Sequence, residues 1–403
     1  MTILVDGYNI GMAQGTGVAT YGHAFAESAH RLGHRVELLL GRDDLDNRSL
    51  TAGRIGREAR KILDFVQAPF GLSALILDTG RAASLHNLPR VDTLWNRSRL
   101  FRAAKGNYRR TGLFTAVPMP HVQVAHWTYP LPIYVPGAKN IYTIHDMVPV
   151  THPEMVQNGQ EYGKLCFDIV KRADHIITVS EASKKDILTY LPIDSMKVTN
   201  TYLSIPASKH DDNDDNAVLR HHDLTAEGYF LFFGAIEPKK NLLRLLLAFE
   251  QSSVETPLVV VGKIGWNCDE DVEKLRQLAT LDNGRRLLWL DYLPRHALFS
   301  LVRNAKAVLF PSLVEGFGLP ALETMVQGVP LLAANIPALS EVTNGCALMV
   351  DPLSVASIRD GLEALDRDMA LRRNLTSRGR TRAAFFSTAR YDARLATLLR
   401  ELL

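Results

Sequence analysis

Short apolar runs recur along the whole chain, separated by stretches in which apolar side chains return every three or four positions. The runs are Ile3–Asp6, Val36–Leu40, Val122–His126, Ile141–His145, His175–Val179 and Lys197–Tyr202, then Tyr229–Phe233, Leu258–Gly262, Leu287–Leu290, Ala307–Phe310, Pro330–Ala333 and Leu348–Val350. Nearly continuous apolarity, rather than alternation, is what strands covered on both faces require. Val18–Leu32, Ser183–Tyr190, Leu242–Glu250 and Asp271–Ala279 carry the helical period instead. Strand and helix alternating in this way predict parallel sheets and an α/β class.

At about 150 residues per domain, 403 residues leave room for two cores. The break is expected at His210–Asn216, where Asp211, Asp212, Asp214 and Asp215 crowd into a polar run suited neither to a core nor to a strand. With about six strands on either side of it, the chain is expected to form two doubly wound domains facing across a cleft. Ligands of such sheets bind beyond the carboxyl ends of the strands.

Composition removes several classes. With 46% hydrophobic and 22% charged residues, disorder, collagen-like repeats and a disulfide scaffold are excluded, and a net charge of +3 gives no reason to expect nucleic acid as partner. Cys166, Cys268 and Cys346 form no C-x-x-C pair, so neither a zinc finger nor a disulfide framework is expected, and a reducing compartment fits. Met1-Thr-Ile-Leu-Val-Asp-Gly has no basic leader and reads as a first core strand, which points to the cytosol. Thr111 to Ala138 is free of Asp, Glu, Lys and Arg, yet Pro118, Pro120, Pro130, Pro132 and Pro136 rule out a spanning helix.

Between Thr51 and Arg110, twelve Lys and Arg side chains face four acidic ones, interleaved with Phe65, Phe70, Trp95 and Phe101. Such a surface suits an anionic membrane or an anionic acceptor. A solvated helical insertion is the plainer alternative.

The densest chemistry lies in Pro311-Ser-Leu-Val-Glu315-Gly-Phe-Gly318-Leu-Pro320-Ala-Leu-Glu323, which joins a strand to a helix. Free amides of the helix's first turn, near Gly318 and Leu319, would form an anion site suited to a diphosphate. Glu315 before the helix and Glu323 one turn inside it can both face the cleft and accept hydrogen bonds from hydroxyls. Lys239 and Lys240 precede a helix, where the dipole disfavours cations and an anionic partner is expected. P-loop, H-E-x-x-H and G-x-S-x-G motifs are absent. Gly15-Thr-Gly17 has Thr20 at the third position of a dinucleotide fingerprint, so it is expected instead to let the backbone approach a sugar, with Tyr8, Asn9 and Tyr21 beside it.

These motifs resemble the E-x7-E glycosyltransferases, specifically the retaining family 4 of the two-domain GT-B fold. Phe233-Gly-Ala-Ile-Glu-Pro-Lys239-Lys240-Asn241 resembles the family's phosphate-binding loop, Val261-Gly-Lys-Ile-Gly-Trp266 its next strand end and Asn335-Ile-Pro-Ala-Leu-Ser-Glu341 a later segment. Gly15-Thr-Gly17-Val-Ala-Thr-Tyr21, Thr143-Ile-His145-Asp146 and Thr178-Val-Ser180-Glu-Ala-Ser match in the first half. Ala235 stands where many members have Arg, and Lys239 is expected to supply that second positive charge.

The resemblance implies two Rossmann-like domains: residues 1–210 for the acceptor, with the basic insertion at about 42–120, and residues 217–385 for a nucleotide-diphosphate sugar. Residues 386–403 would form a helix packing back on the first domain. It implies donor contacts from Gly234, Lys239, Lys240, Gly262, Glu315, Gly316, Phe317, Gly318, Leu319 and Glu323, with Glu323 on the ribose, Glu315 on the transferred sugar and Lys240 on the diphosphate. Glu315, Lys240 and His145 are the expected catalytic residues, and Gly15, Thr16, Gly17, Tyr21 and Asp146 are expected near sugar or acceptor. No metal and no cofactor is expected beyond the nucleotide sugar.

The expected activity is retaining transfer of a sugar to an acceptor hydroxyl, by front-face attack or by double displacement. The Glu-Pro-basic-Lys-Asn loop resembles bacterial mannosyltransferases of surface-polysaccharide and glycolipid assembly, which puts GDP-mannose first among donors. A saccharide or lipid-linked saccharide is the expected acceptor, and an anionic membrane a further partner, so the location expected is cytoplasmic, peripheral on the inner face of the cell membrane. The alternatives are a non-catalytic nucleotide-sugar-binding or scaffold subunit, or another GT-B activity such as a phosphorylase or epimerase.

Overall fold

The computed structural model describes residues 1–10, 17–43, 75–76, 88–156, 159–205, 212–280 and 286–402. In the first half lie β1 (Thr2–Asp6), β2 (Arg35–Leu40), β3 (Leu75–Ile76), β4 (Thr93–Asn96), β5 (Thr115–Ala116), β6 (Val124–Trp127), β7 (Ile133–Tyr134), β8 (Lys139–Thr143), β9 (His175–Thr178) and β10 (Val198–Asn200). Eight of them form one sheet in the order β10-β9-β8-β6-β1-β2-β4-β3, parallel except for the β3–β4 pair, while β5 and β7 pair separately. The second half carries β11 (Phe230–Phe233), β12 (Leu258–Val261), β13 (Leu287–Leu290), β14 (Ala307–Phe310), β15 (Leu331–Ala334) and β16 (Leu348–Val350), in the order β13-β12-β11-β14-β15-β16.

Both sheets are doubly wound, and the order reverses between β1 and β6 in one and between β11 and β14 in the other, which places a binding crevice at the carboxyl ends of those strands. The apolar runs explain why. Phe230–Phe233, Leu258–Val261 and Ala307–Phe310 are buried at every position, as strands covered by helices on both faces must be.

Two expectations need correction. The acidic run does not act only as a linker: Asp212–His221 is a helix, and Asp215 is buried where it accepts bonds from Ser300 Oγ at 2.6 Å and Arg303 Nε at 2.9 Å. Acidic side chains suit the first turn of a helix, and a carboxylate with several donors tolerates burial. The basic insertion is in part sheet. β4 pairs with β2, Phe101 is buried against Gly41, and Trp95 Nε1 donates to the buried Glu37 at 2.7 Å, so neither ring studs an outer surface. Phe65 and Phe70 lie outside the described residues.

The halves are tied by an apolar cluster that contains Val5, Phe25 and Ile177 of the first together with Phe317, Met325 and Val342 of the second. The helix Thr388–Glu401 joins it through Tyr391, Leu395, Leu398 and Leu399, and its Asp392 receives Arg31 and Ser28 of the helix Gly17–Arg31 at 2.8 and 2.5 Å. Among the described residues, no helix is long and apolar enough to cross a membrane.

Candidate active site

The loop after β14 enters the helix Leu319–Gln327 through Gly318, whose φ of 91° is left-handed and whose Cβ, if it had one, would lie 2.2 Å from Leu339 Cδ2. Pro320 in the first turn gives up an amide that has no helical partner anyway, so the helix starts cleanly at the switch point of the sheet. Two residues earlier, a Cβ on Gly316 would come within 2.6 Å of Asp146 Cβ and 3.0 Å of the His145 carbonyl oxygen. Only a bare backbone lets this loop of the second half touch the strand end of the first.

Lys240 Nζ donates to Glu315 Oε1 at 2.6 Å, with 12% and 11% of the two side chains exposed. Lys239 pairs with Glu237 at 3.3 Å, and its carbonyl receives Leu313 N–H at 2.8 Å. Burial works against the Lys239 charge, but Glu315, Glu237 and Asp146 outweigh it and hold its ammonium above the ordinary value. The anionic partner that the sequence demanded is therefore already present, supplied by the chain's own carboxylates. Asn241, at φ 60°, fixes the pair in place by donating Nδ2 to the carbonyls of Pro311 and Pro352 at 2.9 and 2.7 Å.

Glu323 is 7% exposed, and burial pushes its carboxyl up to about 7 despite Arg295, whose Nη2 stands 3.3 Å away. Arg295 also reaches Thr20 Oγ1 of the first half at 3.4 Å. Nothing in the sequence singled out Arg295. Gly234 and Gly262 allow β11 and β12 to end in close apposition, since a Cβ on Gly262 would collide with the Gly234 oxygen at 1.9 Å.

On the facing side, His145 Nε2 lies 2.8 Å from the Thr128 carbonyl, which fixes the tautomer with Nε2–H donating and leaves the Nδ1 lone pair. Burial lowers this imidazole to about 4, so it is neutral near pH 7. Asp146 is pushed up, chiefly by burial and against the opposing charge of Lys239. Gly17 comes within 3.5 Å of Leu319 Cδ2 when given a Cβ, so the start of the first helix abuts the helix Leu319–Gln327. Gly15 and Thr16 lie outside the described residues.

Two expected site residues are core residues. Tyr21 is buried, its hydroxyl 2.8 Å from Thr143 Oγ1, and its ring stands edge-on to His145 at 5.0 Å, so it backs the histidine from within the core. Phe317 is buried, its ring 5.6 Å from that of Phe386, and its side chain belongs to the apolar cluster that ties the halves. An aromatic flanked by glycines gives no sequence signal of which way it turns.

Contacts between the halves are specific. Ser180 Oγ and Ser183 Oγ both donate to the Gly316 carbonyl, at 2.5 and 2.9 Å. The Glu341 carboxylate accepts the amides of Glu181 and Ala182, at 2.8 and 2.9 Å, and so caps a helix of the opposite half.

The family model "Glycosyltransferase Family 4" matches residues 15–205, and "Glycosyl transferases group 1" matches residues 220–382. The O-antigen chain mannosyltransferase B of Escherichia coli is 33% identical over 258 residues, 61% of this chain and 66% of that protein. The O-antigen chain mannosyltransferase RfbU of Salmonella typhimurium is 26% identical over 226 residues, 56% of this chain and 60% of that one. This chain thus spans slightly less than two thirds of either relative. Among solved structures, Anabaena HepE in complex with UDP and glucose superposes with a TM-score of 0.68 at 14% identity, covering 100% of both chains. WaaG, a glycosyltransferase involved in lipopolysaccharide biosynthesis, gives 0.62 at 12% identity over 98% of both. At such identities the likeness is one of fold, and the fold is GT-B.

Proposed function

Since the chain belongs to glycosyltransferase family 4, the glycosyl transferases group 1, we propose that it moves mannose from GDP-mannose, with retention, to a saccharide hydroxyl in surface-polysaccharide or glycolipid assembly. One observation carries the reading: the helix start at Gly318, the Lys240–Glu315 pair and the buried Glu323 all lie at the switch point of the second sheet, and the loop that joins them packs through Gly316 against His145 and Asp146 of the first. Two lysine–glutamate pairs thus stand on one side of the junction, and a neutral histidine and an aspartate on the other. The donor assignment draws on the two O-antigen mannosyltransferases, whose names specify the sugar.

Glu323 is suited to accept the ribose hydroxyls. Lys239, Lys240 and the first-turn amides are placed to stabilise charge that grows on the leaving diphosphate, an effect that acts only as the glycosidic bond breaks. Glu315, oriented by Lys240, is placed to hold the sugar's hydroxyls and to favour positive charge developing on the ring. The acceptor's proton passes to the departing phosphate oxygen as the new bond forms on the same face. Because the cationic charge resides on lysines, turnover is expected to survive EDTA, and strict dependence on a divalent ion would contradict the scheme.

The direct test is calorimetry across GDP-, UDP-, dTDP- and ADP-sugars, with GDP-mannose expected to bind most tightly. Lys239→Ala/Lys240→Ala should lower kcat roughly a hundredfold or more while donor affinity changes far less. No discrimination among the four nucleotides would overturn the donor assignment. No sugar transfer to any acceptor would leave only a binding subunit.

A further inference from the structure

Beside the carboxyl end of β1, the helix Leu100–Thr111 borders a cavity of about 320 Å³ lined by Tyr8, Arg102, Lys105, Gly106 and Arg109. The three cations stand on successive turns of one helix face. Lys105 Nζ donates to Tyr8 Oη at 2.7 Å and lies 4.2 Å from the centre of that ring and 5.6 Å from that of Tyr129. It has a neutral partner for a full charge. Arg102 is exposed and makes no ion pair among the described residues, whereas Arg109 is tied to Glu161 at 2.5 Å. The nearest buried acid, Asp6, is turned inward to the amides of Thr128 and Tyr8.

From this cavity a row of rings leads to the proposed reaction centre. Tyr8 and Tyr129 have centroids 6.1 Å apart, and Tyr129 and Tyr162 6.2 Å. Tyr162 Oη donates to the Asp146 carbonyl at 3.0 Å, and Asp146 abuts Gly316 beside Glu315. Tyrosine faces offer sugar rings apolar area with a polar edge, and the cavity offers at its far end Arg102 and Lys105, which make no ion pair among the described residues, the charge of Asp6 acting on Lys105 only through space.

We infer that this track seats an acceptor that is an anionic saccharide: its phosphate or carboxylate group lies between Arg102 and Lys105, its sugar crosses Tyr8 and Tyr129, and its free hydroxyl faces Glu315. The inference rests on the transferase reading but not on which nucleotide the donor carries. The charge selects the acceptor and fixes its direction, charged end outward and hydroxyl inward.

The test titrates the full chain with three probes: octyl mannosyl diphosphate, a mannosyl-glucuronic acid disaccharide and uncharged octyl mannoside. Wild type should bind one or both charged probes at least roughly tenfold more tightly than the neutral one, and Arg102→Ser/Lys105→Ser should abolish that preference while leaving the neutral probe unaffected. Preference for the diphosphate alone identifies a lipid-linked source, and preference for the uronic acid alone an acidic glycan. GDP affinity of the variant, read separately, should match wild type and shows that the second domain is folded. Circular dichroism does the same for the whole chain.

Equal binding of charged and neutral probes, or no loss in the variant, would overturn the inference. So would loss of co-sedimentation with phosphatidylglycerol vesicles while all three soluble probes bind as before, which would make the cations a membrane contact. Charge discrimination without GDP binding would uphold this site and overturn the donor assignment instead.

Discussion

Glu323, proposed to hold the ribose, works against the fold that carries it. Its carboxyl is pushed from 4.5 to about 7 by burial, so between those values the folded chain holds a proton that the unfolded chain has released. Stability from this group is therefore present below pH 4.5 and falls as pH rises through 7. Glu323→Gln is expected to stabilise the free protein at pH 8 by about 1–3 kcal/mol, with little change at pH 4.5, as read by denaturant unfolding. Nucleotide affinity should move the other way: in wild type it should rise between pH 6 and 8 as the carboxylate becomes a full acceptor, and the Gln variant should lose both affinity and slope. A flat pH profile in wild type would remove Glu323 from the ribose site. The Lys240–Glu315 pair calls for a different experiment, because removing either partner strands the other in a site barely exposed to water. A double-mutant cycle with Lys240→Met and Glu315→Gln should give a coupling energy of about 1–3 kcal/mol in stability, with each single variant less stable than the double predicts by addition. Additivity would mean that the two act separately.

At the scale of elements, the contact between the halves passes through the loop that carries Glu315. Ser180 and Ser183 hold the carbonyl of Gly316, next to Glu315, and Glu341 caps the helix Glu181–Tyr190 that begins with those serines. The contact between the halves and the shape of the Glu315 loop are thus fixed by the same groups. Glu341→Ala should lower kcat/KM by roughly fivefold, in line with about 1 kcal/mol for a lost cap, and small-angle scattering should show a larger radius of gyration. Unchanged scattering and kinetics would make the cap incidental. Much of this scaffold was legible in the sequence because the long apolar runs left no alternative to buried parallel strands, and the Glu315 loop because glycines and acids recur at fixed spacing. β4 was missed since Thr93-Leu-Trp-Asn alternates buried and half-buried positions and sits among arginines. The helix at Asp212 was hidden because its acids read as solvated until Arg303 and Ser300, far along the chain, supply partners for Asp215. Arg295 had no local signal at all, since its role comes only from the approach of Glu323 and Thr20.

Across the whole molecule, the chain passes from the first half to the second and then returns, so the apolar cluster that ties the halves is built from three separated stretches. The returning helix Thr388–Glu401 covers Phe25 and Val5 with Tyr391, Leu395, Leu398 and Leu399, all buried. A chain stopped after Ala383 should leave that apolar face open and bind the dye ANS strongly, while still binding nucleotide through the second domain; weak dye binding would show that the face closes without the helix. The return has a consequence for synthesis. As the chain leaves the ribosome, the first domain waits with one wall missing while the second is made and folded, and becomes complete only once Leu395 and its neighbours have emerged. Leu395→Asp would therefore strike hardest at a domain translated long before it, by prolonging the interval in which chaperones rather than the fold keep that face from sticking.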